Sequence, residues 1–584
     1  MHVEQIIVPI CMSVISLLLY SFSTDWWCNF SEIPKKKYIS RNYNLSYFYS
    51  SVFCRGNNHT DRLCRFRNLC FEPQTESFVF FQGPKSIRSG LPSDRFSPTL
   101  VDFSSVYDHN TQYFNYVELP DFSTKNFNIS FIDGDGLIFK RFNPDNLMHV
   151  FHDDLIPVYM TLHELSLLGS ANTFLILADT RPPGNYSVLY EKFLISQPVY
   201  IQLLPKTYLH CFRSSYVGLN KQSTWYQYGF KEPQGPLLRP NIGSIILSFR
   251  EYFLNQFSLR YHVGRSSASL LVRKYNRKIL NEDEIIKIIN IHSGLKTDTV
   301  SLDTSTVLEV IQEIMDSNLV IGMHGSLLIL SLFLKTHSII IELFPYGINP
   351  NISTPYKTLC EVSDLKLFYR AWKNDIESNS YPHPEYPPNL GGITHLPFKE
   401  QEYISNSFVK PFLCCDNPAW LYRIYQDTVV DTHNFGLFLQ DVFQEHKKVL
   451  ITDQYLKSGT EDYSQSSEYQ LHPGEIQNAL CNISFESKAI LTLVWDQPWN
   501  LKFMNAVKVD YEIWLQEIGG DNVQAFLTKS NKFVFPLESM EKAYYSWIRC
   551  YANEMVGPFT SNPIICSSEL IHSDSSNHSF FDIM

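Results

Sequence analysis

No two of the twelve cysteines form a CxxC pair, and no tract is rich in histidine. The ligand spacing of a structural zinc site is therefore missing. No long basic run is present and the formal net charge is −11, which argues against a nucleic-acid partner. The C-terminus carries no KDEL-type signal, so retention in the endoplasmic reticulum is not written there and the Golgi stays open. Long apolar runs are also scarce. The exception is residues 6–22, 17 residues without a charge, at the short limit of a spanning helix.

The end of that run offers no convincing small-residue cleavage site, which favours an uncleaved signal anchor over a cleaved signal peptide. The basic residues Lys35, Lys36 and Lys37 lie C-terminal to the run, and the positive-inside rule would place that side in the cytosol. The glycosylation sequons argue the other way. Asn-x-Ser/Thr begins at Asn29, Asn44, Asn58, Asn128, Asn185, Asn351, Asn482 and Asn577. Their spread favours a lumenal body. The expectation is a single-pass type II protein of the endoplasmic reticulum membrane, with its body in a compartment that permits disulfides.

At 584 residues the chain exceeds a single core, and several domains are expected. A cytoplasmic tip and anchor occupy 1–23 and a stem 24–75, followed by Rossmann-like domains at 76–235 and 236–446. Short apolar runs such as 174–179 and 199–204 alternate with helical patterns, the signature of a doubly wound parallel sheet. Residues 229–243 are rich in Pro and Gly and read as an interdomain linker. In the second domain, 245–249 and 269–272 read as strands and 282–291 and 306–315 as helices, with a helix near 414–427 running back across both domains. A polar linker comes next at 447–480, then an all-β segment at 481–570 with period-two alternation, read as a sandwich, and a tail at 571–584.

One stretch organises the second domain. Residues 319–323 form a short apolar run, as in a strand covered on both faces. The turn at His324, Gly325 and Ser326 comes directly after it, with Ser326 as an expected helix N-cap and free N–H groups suited to a diphosphate. Glu342 lies near the C-terminal end of the next strand, the edge where open α/β sheets bind ligands. Upstream, Arg273, Asn276 and Arg277 lie in a basic segment between strand and helix, and Lys357 is a further cation within reach of phosphate. These residues fit a nucleotide-sugar site.

The chemically dense segment is 146–157. Asp145 or Asn146 can cap a helix on which His149 and Asp153 are four residues apart, close enough for a carboxylate to orient an imidazole. Such a pair is a credible general base for an acceptor hydroxyl, with Asn146 one turn earlier. His152 and Asp154 point elsewhere on an α-helical wheel. Asp133 and Asp135 have the form of a metal-binding acidic pair, but Asp-Gly dipeptides between alternating runs read first as a hairpin turn.

The motifs NLMHVFHDDL (146–155), MHG (323–325), ELFPY (342–346), TPYKTL (354–359), GGITHL (391–396) and RIYQD (423–427) together resemble glycosyltransferase family 61. The resemblance covers roughly residues 75–570. It implies a GT-B-like pair of Rossmann domains, a C-terminal fibronectin type III domain, and an inverting transfer of GlcNAc from UDP-GlcNAc to the 4-hydroxyl of O-linked mannose on a dystroglycan-type glycoprotein. The family's Asn-x-x-His-x-x-x-Asp pattern falls on Asn146, His149 and Asp153. The donor side falls on Arg273, Asn276, Arg277, His324, Gly325, Ser326, Glu342 and Lys357. Ser326 stands where the resembling enzyme has Ala, a small change. UDP-GlcNAc is a substrate, no cofactor is required, and a divalent metal and a homodimer are left open. Two rivals are another family 61 O-GlcNAc-type transferase and a non-catalytic lumenal glycoprotein-binding protein.

Overall fold

The computed structural model describes residues 48–105, 112–229, 233–262, 264, 266–410, 413, 415–457, 472–485, 488–504, 506–520, 522–553 and 555–568. The expected anchor, the stem before residue 48, the sequons at Asn29, Asn44 and Asn577, and the tail lie outside the described residues. Among the described residues no helix is long and apolar enough to cross a membrane.

The first sheet has nine strands. Its centre is parallel: Val199–Tyr200, Thr173–Leu177, Ile129–Phe139 and Leu209–Val217 run side by side in that order. Leu63–Glu72 then pairs antiparallel with Leu209–Val217, and Ser51–Arg55 antiparallel with Leu63–Glu72. The sheet is thus mixed rather than purely parallel. Residues 51–72, expected as part of a stem, are two of its strands. They are held by the disulfides Cys54–Cys64 and Cys70–Cys211, the second closing a separation of 141 residues.

Asp133 and Asp135 lie within one continuous 11-residue strand, Ile129–Phe139, instead of a hairpin turn. The register with Leu209–Val217 shifts at Asp133 and Gly134, where Gly134 takes a positive φ of 111°, and from Asp135 onwards the strand is paired in parallel on both sides. At Gly136 an added Cβ would stand 2.3 Å from Ile176 Cδ1, so glycine here serves close strand packing.

The second sheet is wholly parallel. Its order is Lys296–Val300, Ser267–Leu271, Ser317–Met323, Ile339–Phe344, Phe368–Lys373. Numbered by chain position this is 2-1-3-4-5, a doubly wound order whose switch point lies between Ser267–Leu271 and Ser317–Met323. Both faces are covered. Glu282–Ser293 and Thr432–Lys457 pack on one. On the other, a core continuous with the first sheet includes Ile246, Phe249, Phe253 and the buried run Leu327–Leu334.

Residues 245–249, expected as a strand, lie in the helix Ile242–Gln256. Its buried Ile246, Phe249 and Phe253 recur at helical spacing, and a short apolar run alone does not separate strand from buried helix. Within the expected linker, Gly235–Pro236 pairs antiparallel with Tyr226–Gln227. The expected return helix is the short Pro418–Ile424, and the long helix comes later, Thr432–Lys457, entering the stretch expected as a linker.

The C-terminal region forms two antiparallel sheets sharing one core. One holds Gln477–Phe485, Ala489–Asp496 and Lys532–Leu537, the other Val523–Thr528, Val509–Glu517 and Tyr544–Ala552 with two short edge pieces. Buried Trp495 and Tyr511 meet edge to face at 5.3 Å. Cys481–Cys566 is a third disulfide. His472 ties this region to the second sheet's domain: Nδ1 lies 2.8 Å from the Val556 carbonyl and Nε2 3.0 Å from Glu361 Oε2.

Candidate active site

A cleft of about 200 Å³ is lined by Asn146, Met148 and His149 on one side and by Arg277, His324, Gly325 and Ser326 on the other. Its walls come from the helical segment after Ile129–Phe139 and from the C-terminal ends of the strands flanking the switch point. The topology thus brings Asn146 and His149, expected on the acceptor side, to one cleft with Arg277, His324, Gly325 and Ser326, expected on the donor side; Arg273 stands off the lining, beside Gly325.

On the first wall, Asn146 caps the helix: its Oδ1 accepts from Met148 N at 3.0 Å. One α-helical turn, Leu147–His149, gives way to a π-helical stretch, Val150–Leu155. The wider turn corrects the expected wheel. His149 Nδ1 lies 2.5 Å from Asp153 Oδ2, as four-residue spacing predicts, but His152 Nδ1 also reaches Asp153, at Oδ1, 2.8 Å away. Ser105 Oγ donates to the same oxygen at 2.5 Å. Trp225 N–H donates to His152 Nε2 at 3.3 Å, leaving Nδ1 as that ring's donor to Asp153.

Burial alone would push the Asp153 carboxyl up. The charge and hydrogen bonds of His152 and His149 reverse this and hold it far below the usual carboxylate range. Its neighbour Asp154 behaves oppositely. Burial raises it well above the usual value, against a hydrogen bond from Tyr190, whose hydroxyl donates to Asp154 Oδ2 at 2.6 Å. Adjacent carboxyls are thus pushed in opposite directions, Asp153 down by the imidazoles it orients and Asp154 up by burial. π-Helical insertions are frequent at functional sites.

On the second wall, Arg273 and Arg277 come after the strand Ser267–Leu271. Burial pushes the Arg273 guanidinium down to about 9, and Arg277 beside it pushes the same way. Burial lowers Arg277 too. Among the described residues neither guanidinium pairs with a carboxylate; the groups that raise them are tyrosines, Tyr356 and Tyr425 for both and Tyr186 for Arg273. Arg277 Nη1 donates to the His324 carbonyl at 3.0 Å, its plane covers Tyr425 at 4.7 Å, and its Nε is buried without a hydrogen-bond partner among the described residues. Two desolvated cations without a counter-charge make a site for an anion. Gly325 keeps it open, since a Cβ there would lie 2.5 Å from Arg273 Nη2 and 2.8 Å from Arg277 Nη1.

The remaining donor-side residues divide. Ser326 lines the cleft but begins a 3-10 helix, Ser326–Phe333, whose cap is Gly325 without a side-chain bond, so it is not the N-cap. Glu342 is fully buried and holds His324 Nδ1 at 2.5 Å. Lys357 pairs with Glu361 at 3.9 Å, beside His472, away from the lining. Asn276 is half-buried in the arginine loop and also stands off the lining.

Sequence reasoning misses Ser105, Tyr226, Tyr228, Tyr356, Trp420 and Tyr369. Of these, only Tyr356 lies inside one of the family motifs. Asp133 is paired with Arg213 at 3.7 Å, and among the described residues no group of three or more His, Cys, Asp or Glu could hold a metal ion. Asn58, Asn128, Asn185 and Asn482 are exposed, and Asn351 is half-buried.

The family model described as Glycosyltransferase 61 matches residues 149–341, a span that runs from His149 to just before Glu342. Three curated relatives are named protein O-linked-mannose beta-1,4-N-acetylglucosaminyltransferase 2. The Xenopus laevis protein is 39% identical over 533 residues, 88% of this chain and 89% of that one. The Danio rerio protein is 39% identical and the Homo sapiens protein 38%, with the same coverage. Among solved structures, the FN5 domain of Drosophila Lar matches 16% of this chain and 92% of its own at 16% identity and a TM-score of 0.13.

Proposed function

The chain belongs to glycosyltransferase family 61, and from that premise we propose that it transfers GlcNAc from UDP-GlcNAc, in β-1,4 linkage and with inversion, onto O-linked mannose of a dystroglycan-type glycoprotein. The observation that carries the reading is one cleft lined on one wall by His149, which Asp153 holds, and on the other by Arg277, with the Arg273 guanidinium off the lining but beside Gly325, neither arginine paired with a carboxylate among the described residues.

The diphosphate of the donor lies against Arg273 and Arg277, approached closely because position 325 has no side chain. Fixed cations already in place offset the charge that develops on the leaving group, with no reorganisation during the reaction. The mannose hydroxyl enters from the Asn146 side. His149 takes its proton through Nε2, while Asp153 fixes the tautomer through Nδ1 and stabilises the imidazolium that forms. Glu342 acts from behind, through His324, while Lys357 and Asn276 stand off the lining.

The two-sheet arrangement supports a GT-B-like pair of domains, and the C-terminal region a fibronectin type III fold that holds the acceptor polypeptide near the cleft and raises the mannose's effective concentration. Three disulfides support an oxidising, lumenal compartment, with residues 6–22 as its membrane anchor. The test is transfer of labelled GlcNAc from UDP-GlcNAc to an O-mannosyl peptide, with and without chelator, and analysis of the product linkage. A β-1,4 disaccharide supports the reading. Donor binding with transfer only to another acceptor would overturn the acceptor assignment, and the chelator arm decides on a metal.

A further inference from the structure

The cleft holds a second imidazole–carboxylate pair. His324 Nδ1 lies 2.5 Å from Glu342 Oε1, and the Tyr369 hydroxyl donates to the other oxygen, Oε2, at 2.5 Å. The three groups come from consecutive elements of the second sheet: the end of Ser317–Met323, the strand Ile339–Phe344 and the strand Phe368–Lys373. Glu342 is fully buried. Among the described residues its only ionic partner is His324, and a buried carboxylate without a cation is costly. The ring is clamped by Phe344, Tyr356 and Trp420, with centroids at 5.1, 5.6 and 6.1 Å. With Nδ1 taken by Glu342, Nε2 is the nitrogen left for the cleft that the residue lines.

Resting on the donor reading above, we propose that His324 is the general acid of this site, and that Glu342 and Tyr369 are its positioning residues. UDP-GlcNAc brings a diphosphate to Arg273 and Arg277. His324 then carries a proton on Nε2, held by Glu342 behind it and by the donor's negative charge in front. In the transfer, the bond from C1 of GlcNAc to the β-phosphate oxygen breaks and its electron pair goes to that oxygen, which takes the proton from His324 Nε2. The acceptor oxygen bonds C1 and its proton passes to His149. One proton is thus lost from the acceptor and one gained by UDP, through two imidazoles that serve one cleft, each held by a buried carboxylate.

The charged and titratable groups around His324 set how tightly the proton is held. Glu342 and Tyr369 face it from the neighbouring strands. Arg277 binds its carbonyl, Arg273 stands beside Gly325, Tyr356 packs from the helix Pro355–Cys360, and Tyr425 lies under Arg277. His149 lines the opposite wall. The diphosphate of a bound donor brings negative charge in front of a ring that Glu342 holds from behind, so donor binding and proton uptake are linked in this reading.

The experiment is isothermal titration calorimetry of the full chain with UDP-GlcNAc, whose diphosphate has no group titrating near neutrality. It is run at several pH values in buffers of different ionisation enthalpy. Wild type is expected to take up close to one proton per donor at mildly alkaline pH and less as pH falls. His324→Gln is expected to take up none, Tyr369→Phe a reduced fraction, and His149→Gln as much as wild type. Binding without uptake in wild type, or equal uptake in His324→Gln, overturns the proposal while leaving the donor reading in place. No donor binding at any pH overturns both. Tyr369→Phe loses a single hydroxyl, so it supplies a folded variant if His324→Gln does not fold. An alkaline limb in the kcat profile that is lost in His324→Gln and displaced in Tyr369→Phe supports the assignment, and an unchanged limb in both contradicts it.

Discussion

His149 and Asp153 face each other at 2.5 Å across the junction of an α-helical turn and a π-helical one. The π-helical stretch also delivers His152 to the same carboxylate. One buried acid therefore fixes two rings, and only the first of them lines the cleft. Asp153→Asn keeps the size of the side chain and removes the charge that stabilises imidazolium at His149. Its kcat is expected to fall by about 10²–10⁴-fold, the usual worth of general-base catalysis, with donor affinity little changed. Steady-state kinetics on a variant with wild-type circular dichroism checks this, and a drop confined to donor KM would contradict it.

The arginines make a different prediction. Arg277→Ala removes one of two guanidiniums facing Gly325 and is expected to weaken UDP-GlcNAc binding by about 10–100-fold, in keeping with charge-assisted hydrogen bonds of roughly 1.5–3 kcal/mol. Arg277→Lys is expected to recover little of this, since it loses the planar fork and the stacking on Tyr425. Calorimetric titration decides between them.

Gly325→Ala tests the same wall without removing charge. The backbone there is extended (φ 161°, ψ 167°), so alanine brings no conformational strain, and the atoms it meets are the ends of the two arginines. Thermal stability is expected to stay close to wild type while donor KM rises several-fold. A loss of Tm with unchanged KM would mean that the glycine serves packing instead.

Asp154 gives a pH prediction. Its carboxyl is raised well above the ordinary 3.8 by burial. A raised folded value stabilises the fold fully below the unfolded pKa, and that contribution is lost as pH rises towards the folded value. Asp154→Asn cannot ionise and still offers Tyr190 an acceptor. It is expected to match wild type in Tm near pH ~4 and to exceed it increasingly towards pH ~8. A gap independent of pH would refute this assignment.

Much of the site is legible in the sequence because its chemistry is local. His149 and Asp153 are four residues apart, and the sequence around His324 spells a strand, a turn and a helix-like run. The errors lie where partners are distant in sequence. Leu63–Glu72 looks like part of a stem until Leu209–Val217 pairs with it, and the Asp-Gly repeat looks like a hairpin turn until parallel strands close on both sides from Asp135 onwards. Ser105 reaches Asp153 across 48 residues, and Tyr369 reaches Glu342 across 27; neither carries a local signal. An α-helical wheel turns His152 away from the pair, and no periodicity argument foretells a π-helical stretch.

In this reading one cleft binds the donor on its arginine wall and activates the acceptor at His149. Single-turnover transfer from UDP-GlcNAc to an O-mannosyl peptide, with donor affinity measured on the same preparations, tests it most directly. For His149→Ala the account predicts donor affinity within about twofold of wild type and a transfer rate lower by about 10²-fold or more. Transfer at the wild-type rate by His149→Ala would contradict it.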